Sequence, residues 1–233
     1  MKKFKRFSPL FQNLPACIST FAYKSIIEEM ENEFDISRFN AIVQQRRSIY
    51  PYQFINDKKI PDEIIWKILD NANRAPTHKL TEPWRFTVFS GEGLQYFAQL
   101  QTDIYTKYAG ENFKEKKLKN LAEYPLMSSH VIAIGMKRSI SISIPETEEI
   151  IATACTIENI YLTVAAYRLG GYLSTGGITY IKEAKLFFDL EENDQLIGFF
   201  YIGYPDNIKN PLSRRGDVKE KVKWIDDLSG TGY

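Results

Sequence analysis

Apolar positions along the chain fall first at helical and then at strand-like spacing. Phe39, Ile42 and Val43 share one face and predict a helix over residues 36–46, which Pro51 keeps from continuing. Pro61 opens a second helix at the favoured first-turn position, with Asp62 and Glu63 facing the positive end of its dipole. Ile64, Ile65, Ile68, Leu69 and Ala72 supply its buried face. Residues 84–89 (WRFTVF) alternate and are rich in aromatic and β-branched types, which predicts a strand. Gly91 and Gly93 mark a turn into an amphipathic helix over 94–108, and a lysine-rich stretch over 113–124 reads as a solvated helix. Residues 130–136 (HVIAIGM) are a continuous apolar run, the mark of a strand buried on both faces. The longest helical pattern spans 148–169 and is apolar nearly all round, so it is central, with Gly170-Gly171 as its cap. A short strand at 172–175, a turn at Gly176-Gly177, a helix over 181–190 and a buried strand over 196–204 follow. A Pro/Asn loop at 205–213 leads into a basic tail at 214–224 with one helical turn.

This order predicts an α+β domain over residues 36–233, with one sheet covered by helices. Residues 1–35 lack strong periodicity apart from a short helical stretch at 23–33 and read as an N-terminal extension. The regular βαβ alternation of a doubly wound fold is absent, and no Gly-x-Gly-x-x-Gly follows a strand, so a dinucleotide-binding Rossmann domain is disfavoured.

Composition narrows the class. With 233 residues, 44% apolar and 25% charged, the chain can bury a sizeable core without disulfide or metal staples. A net charge of +1 gives no reason to expect a nucleic-acid partner. Cys17 and Cys155 make no disulfide framework, and Cys155 reads as a small buried residue. His78 and His130 have no Cys/His cluster around them, which argues against a zinc site. The basic start (Lys2, Lys3, Lys5, Arg6) leads into apolar residues broken by Gln12, Asn13 and Pro15, unlike a signal peptide. No run approaches the roughly 18 apolar residues of a membrane span. A cytoplasmic protein without membrane partners is expected.

Four segments hold the candidate chemistry. Arg46-Arg47-Ser48 lies at or just beyond a helix end. Residues 74–84 (RAPTHKLTEPW) form an ordered loop, because Pro76 and Pro83 bar the residues before them from helix. Arg214-Arg215 opens the basic tail. Arginine forks match phosphate oxygens, and a serine hydroxyl adds a further donor, so three such segments favour one anionic ligand. Residues 172–177 (YLSTGG) combine hydroxyls with glycines that admit close backbone approach. No Ser-His-Asp, Cys-His or metal motif appears, which favours a protein that holds a reactive cofactor over one that supplies its own nucleophile.

These motifs, in order, resemble the nitroreductase superfamily. The similarity runs from R-R-S through R-A-P-T-H-K-x-x-x-P-W-R-F-x-V-F, then residues 152–171 followed by YLSTGG, then residues 199–205 (FFYIGYP), and covers about 36–224. It is nearest the subgroup with Ala-Pro-x-His-Lys before Pro-Trp. The resemblance implies a central, mainly antiparallel sheet flanked by helices, with the long central helix at a homodimer interface that holds FMN. It implies that Arg46, Arg47 and Ser48 bind the phosphate or ribityl end, with Arg215 or Arg214 adding a basic residue. Arg74 and His78 match positions near the flavin. Leu173, Ser174 and Thr175 match the loop over it, and the backbone at Gly176 and Gly177 approaches its N5. The implied activity is hydride transfer from NADH or NADPH through FMN to an electron-poor acceptor, nitroaromatic or quinone-like, in a ping-pong scheme that uses no dedicated catalytic residue. A specialised flavin enzyme, such as a reductive dehalogenase, and a non-enzymatic flavin-binding regulator are the alternatives. Three positions depart from many relatives: Tyr50 stands where they carry a cation, Leu80 where they carry Asn, and Glu82 where they carry Gln.

Overall fold

The computed structural model describes residues 35–139, 143–206 and 215–225. Strands β1 (Trp84–Ser90), β2 (His130–Met136), β3 (Gly170–Ser174) and β4 (Gln195–Gly203) form one sheet in the order β1-β2-β4-β3. Every neighbouring pair is antiparallel. The expected α+β architecture is therefore the observed one. The chain divides into two compact units, Met1–Gln44 and Gln45–Tyr233. In the first, the Asp35 carboxylate accepts from the Ser37 hydroxyl at 2.8 Å and the Arg38 N–H at 3.2 Å, which starts helix α1 (Ile36–Gln45).

Alternation along β2 and β4 sets the layers of the second unit. Val131, Ala133, Phe199 and Tyr201 point to one face. There they meet Leu94, Phe97 and Ile104 of α3 (Glu92–Tyr108) and Leu121 of α4 (Glu115–Glu123). Ile132, Ile134, Phe200 and Ile202 point to the other. There they meet Ile65 and Ile68 of α2 (Asp62–Ala72) and Ile157, Ile160 and Val164 of α5 (Glu146–Ala166). Burying one such side chain is worth about 1.5–3 kcal/mol. A one-residue slip of either strand would exchange its whole set between faces, so the register is strongly specified.

Helix α5 is long and apolar enough, by length and composition, to cross a membrane, contrary to the expectation that no segment would be. Its packing is that of a core helix. One side lies on the sheet, and the buried Glu149 accepts from Arg138 Nη1 at 2.5 Å and from the Ser139 N–H at 3.0 Å.

Four local expectations change. Gly170-Gly171 does not cap α5: the helix ends at Ala166, Arg168 takes the left-handed turn (φ 55°), and both glycines belong to β3. They are needed there for close approach, since a Cβ on Gly171 would lie 2.8 Å from the Phe200 ring. The helix expected over 181–190 is a turn and a short 3-10 segment, Ala184–Phe188, ended by a left-handed Asp189. Phe188 and Leu190 both enter the same core cluster, and two residues apart they would face nearly opposite sides of an α-helix. Cys155 is half-buried. Helix α4 is not wholly solvated, because Leu121 is buried. The stretch at 23–33, the loop over 207–213 and Arg214 lie outside the described residues.

Candidate functional site

Beyond α1, the chain from Arg46 to Ile49 runs alongside β3. Ser48 bridges Gly171 in parallel, and the Ile49 N–H donates to the Gly171 carbonyl at 2.9 Å. The first and fourth candidate segments of the sequence therefore meet. Tyr161 of α5 joins them from below. Its Oη accepts from the Leu173 N–H at 3.0 Å and lies 3.3 Å from Ser48 Oγ. Either hydroxyl can be the donor in that contact, so Ser48 can accept from or donate to a ligand as well. The Arg46 guanidinium stands 4.8 Å over the Tyr161 ring, and its Nε is 3.8 Å from Glu158. Arg47 Nη1 donates to the Arg46 carbonyl at 2.6 Å. Tyr161 was not among the candidates. Its signal was a phenol hydroxyl on the central helix, which needs a partner when buried.

Leu173, Ser174, Thr175, Gly176 and Gly177 line a cavity of about 380 Å³. Gly177 turns the chain there at φ +70°. Tyr172 and Tyr201 come from the sheet, and Lys114, Lys117 and Tyr124 come from α4 and its flanks. Burial, with neighbouring tyrosines adding to it, raises the pKa values of Tyr124 and Tyr172 above the ordinary phenol value. Tyr201 is raised further by its complete burial. All three hydroxyls are therefore neutral donors near pH 7. Tyr50 stacks on Tyr52 at 5.5 Å and leans on Tyr172 at 4.4 Å. Position 50 thus holds an aromatic ring against the β3 segment.

Arg74 and His78 lie in different surroundings. Arg74 pairs with Asp70 on its own helix at 3.3 Å and is largely exposed. His78 Nδ1 contacts the Glu148 carboxylate in the first turn of α5. Among the described residues, no hydrogen bond or ion pair joins either to Arg46, Ser48 or β3. Their loop is held by side chains: Thr77 Oγ1 lies 3.1 Å from Thr81 Oγ1 and accepts from the Glu82 N–H at 3.3 Å, and Trp84 Nε1 donates to Asn73 at 2.8 Å. Lys79, Leu80 and Glu82 all have positive φ (51°, 54° and 43°). Leu80 is 80% exposed. Arg215 is exposed on the tail, just before a 3-10 turn at Val218–Lys221 that Asp217 caps.

The sequence model of the Nitroreductase family matches residues 43–204, and the chain belongs to that family. YfhC of Bacillus subtilis (strain 168), which carries the name of an NAD(P)H nitroreductase, is 26% identical over 180 residues, 77% of this chain and 90% of that protein. A crystal structure of a nitroreductase-like family protein from Bacillus cereus superimposes with a TM-score of 0.68 at 25% identity, over 81% of this chain and 96% of that one. The FMN and NADPH-dependent nitroreductase NfnB from a Sphigopyxis strain shares the fold at 15% identity, with a TM-score of 0.62 over 81% of this chain and 99% of its own.

Proposed function

We propose that this protein is an FMN-dependent oxidoreductase that takes hydride from NADH or NADPH and delivers it to an electron-poor acceptor such as a nitroaromatic or a quinone. The observation that carries this is the pairing of residues 46–49 with β3 beside the 173–177 cavity. The donor set fits a flavin mononucleotide. Arg46 and Ser48 offer a guanidinium and a hydroxyl for the phosphate or ribityl end, with Arg47 alongside. Leu173, Ser174 and Thr175 would flank the ring system, and the backbone at Gly176 and Gly177 admits close approach. When bound, FMN supplies the hydride relay, reduced by the nicotinamide in one half-reaction and reoxidised by the acceptor in a second, ping-pong fashion. The chain's own residues bind, orient and shield; none is assigned as an acid or base. The buried Tyr201 and the half-buried Tyr172 line the cavity from the sheet.

In this reading the protein is a cytoplasmic homodimer with its domain over 36–233. Arg74 and His78, which do not reach the Arg46 cluster within one chain, would serve the flavin held by a second copy. Arg215 and Arg214 would close on the phosphate from the tail. The test is a colour and its loss. Protein purified with FMN should be yellow and bleach anaerobically with NADH or NADPH, and Arg46→Met should weaken FMN binding at least tenfold. A colourless protein that takes up no FMN would end this reading. A flavin-binding protein without turnover is the second reading, favoured by Tyr50 leaning on Tyr172 where relatives place a cation. FMN that binds but is reduced by neither nicotinamide would support it.

A further inference from the structure

The 380 Å³ cavity carries a one-sided charge pattern. Lys114, Lys116 and Lys117 all line it, and no aspartate or glutamate does. None of the three lysines forms an ion pair among the described residues, whereas Lys119 on the same helix reaches Glu123 at 3.9 Å. Lys117 is half-buried and bends over the floor: a Cβ added to Gly176 would sit 2.9 Å from its Nζ. The ammonium is therefore held against the segment that would flank the flavin, not extended into solvent. Aromatic faces supply the other half of the site. Tyr124 and Tyr172 meet edge to face at 6.3 Å, and Tyr201 lies behind both. Asn120 and the Ser174 and Thr175 hydroxyls add neutral donors. Ligand pockets run from roughly 300 to 1,000 Å³, and this cavity falls within that range.

We propose that this cavity selects an aromatic acceptor bearing an anionic group, such as a carboxylate, with the ring against Tyr124 and Tyr172 and the charge met by Lys117, assisted by Lys114 and Lys116. This deepens the flavin reading above and rests on it. A cation raised over a half-enclosed floor attracts an anion more strongly than one in bulk water, and an aromatic wall orients a flat ring. A neutral analogue of the same shape keeps the ring contacts and loses the charge contact.

The experiment measures binding and turnover of 4-nitrobenzoate and 4-nitrobenzyl alcohol on the same protein, before and after FMN saturation. Equilibrium dialysis should show nitrobenzoate binding at least tenfold more tightly, about 1.4 kcal/mol. The advantage should shrink at high salt. Lys117→Met should reduce it below threefold, with the loss falling on the KM for nitrobenzoate. Lys119→Met should leave it intact. Equal binding of the two ligands, or an advantage that survives Lys117→Met, overturns the proposal. So does displacement of nitrobenzoate by FMN, which would give the lysines to the flavin. A change confined to the KM for NADPH also overturns it, by giving them to the nicotinamide cofactor. Failure of the flavin reading shows separately, as absent flavin absorbance and no NAD(P)H oxidation, while dialysis still reports on the cavity.

Discussion

The strap at 46–49 and the loop at 74–84 are both short, basic and rich in hydroxyls, yet they are held in opposite ways. The strap is tied by backbone pairing to β3 and by Tyr161, and its neighbours include glycines that leave no room for a side chain. The loop is braced by threonine hydroxyls, carries three left-handed non-glycine residues and presents Leu80 to solvent. Each left-handed residue costs about 1–2 kcal/mol. Strain of that kind persists where surroundings impose it, and it clusters at ligand clamps and switch regions. The strap is thus complete within one chain, while the loop holds a shape whose benefit lies outside its own contacts.

The largest effect that could break this contrast is expected at Gly198 of β4. A Cβ there would lie 2.7 Å from the Ser174 carbonyl oxygen, where two backbones meet and neither can turn aside. Gly198→Ala should cost about 3 kcal/mol by urea denaturation. A near-neutral result would mean that β3 is not rigidly held. Tyr161→Phe comes next. It leaves the Leu173 N–H without its partner, and about 1–2 kcal/mol should be lost, together with tight FMN binding. Unchanged stability would show that Leu173 finds another acceptor. In the loop the sign should reverse. Leu80→Gly removes the left-handed penalty and should raise the unfolding free energy by about 1 kcal/mol. A loss there would mean that Leu80 makes contacts the isolated chain does not show.

The smallest effect concerns pH. His130 is buried at the start of β2, its Nδ1 2.9 Å from Ser129 Oγ and its Nε2 3.3 Å from Asp62 at the start of α2, the helix that leads into the loop. Burial lowers its pKa below the ordinary value of 6.5, and Asp62 only partly opposes this. Asp62 is itself held below the usual carboxylate range, first by Lys59. The unfolded chain therefore binds a proton near pH 6.5 that the folded chain resists. His130 contributes stability that is present above pH 6.5 and is lost as pH falls through its lower folded value. Denaturation midpoints should fall between pH 7 and pH 5, and His130→Gln should flatten that slope. Hydrogen exchange should rise in 74–84 before it rises in 46–49; the reverse order would contradict the comparison.

The sequence made the sheet readable where burial was simplest. The run HVIAIGM is apolar throughout because both of its faces are covered, and its expected bounds match β2. Gly170-Gly171 misled because paired glycines after a helix look like a cap, whereas here close contact with Phe200 requires Gly171. The 181–190 stretch misled because Ala184, Phe188 and Leu190 serve one core cluster without helical spacing. At the site, the residue types of the strap and of YLSTGG were legible. Their meeting was not, since it depends on a single parallel bridge between distant parts of the chain. Lys117 was absorbed into a lysine-rich helix read as solvated, and only the fold shows it turned over Gly176.

That parallel bridge has one more consequence. Strand β3 lies at the edge of the sheet, where unpaired N–H and C=O groups invite a strand from another molecule. Ser48 and Ile49 cover the start of that edge, and further on Phe54 bridges Pro205 while the Ile55 N–H donates to the Tyr204 carbonyl beyond β4. The segment with the phosphate-matching arginines therefore doubles as a guard against aggregation. A change that loosened it would expose a sticky edge as well as a binding site, so variants here are expected to appear first as insoluble protein.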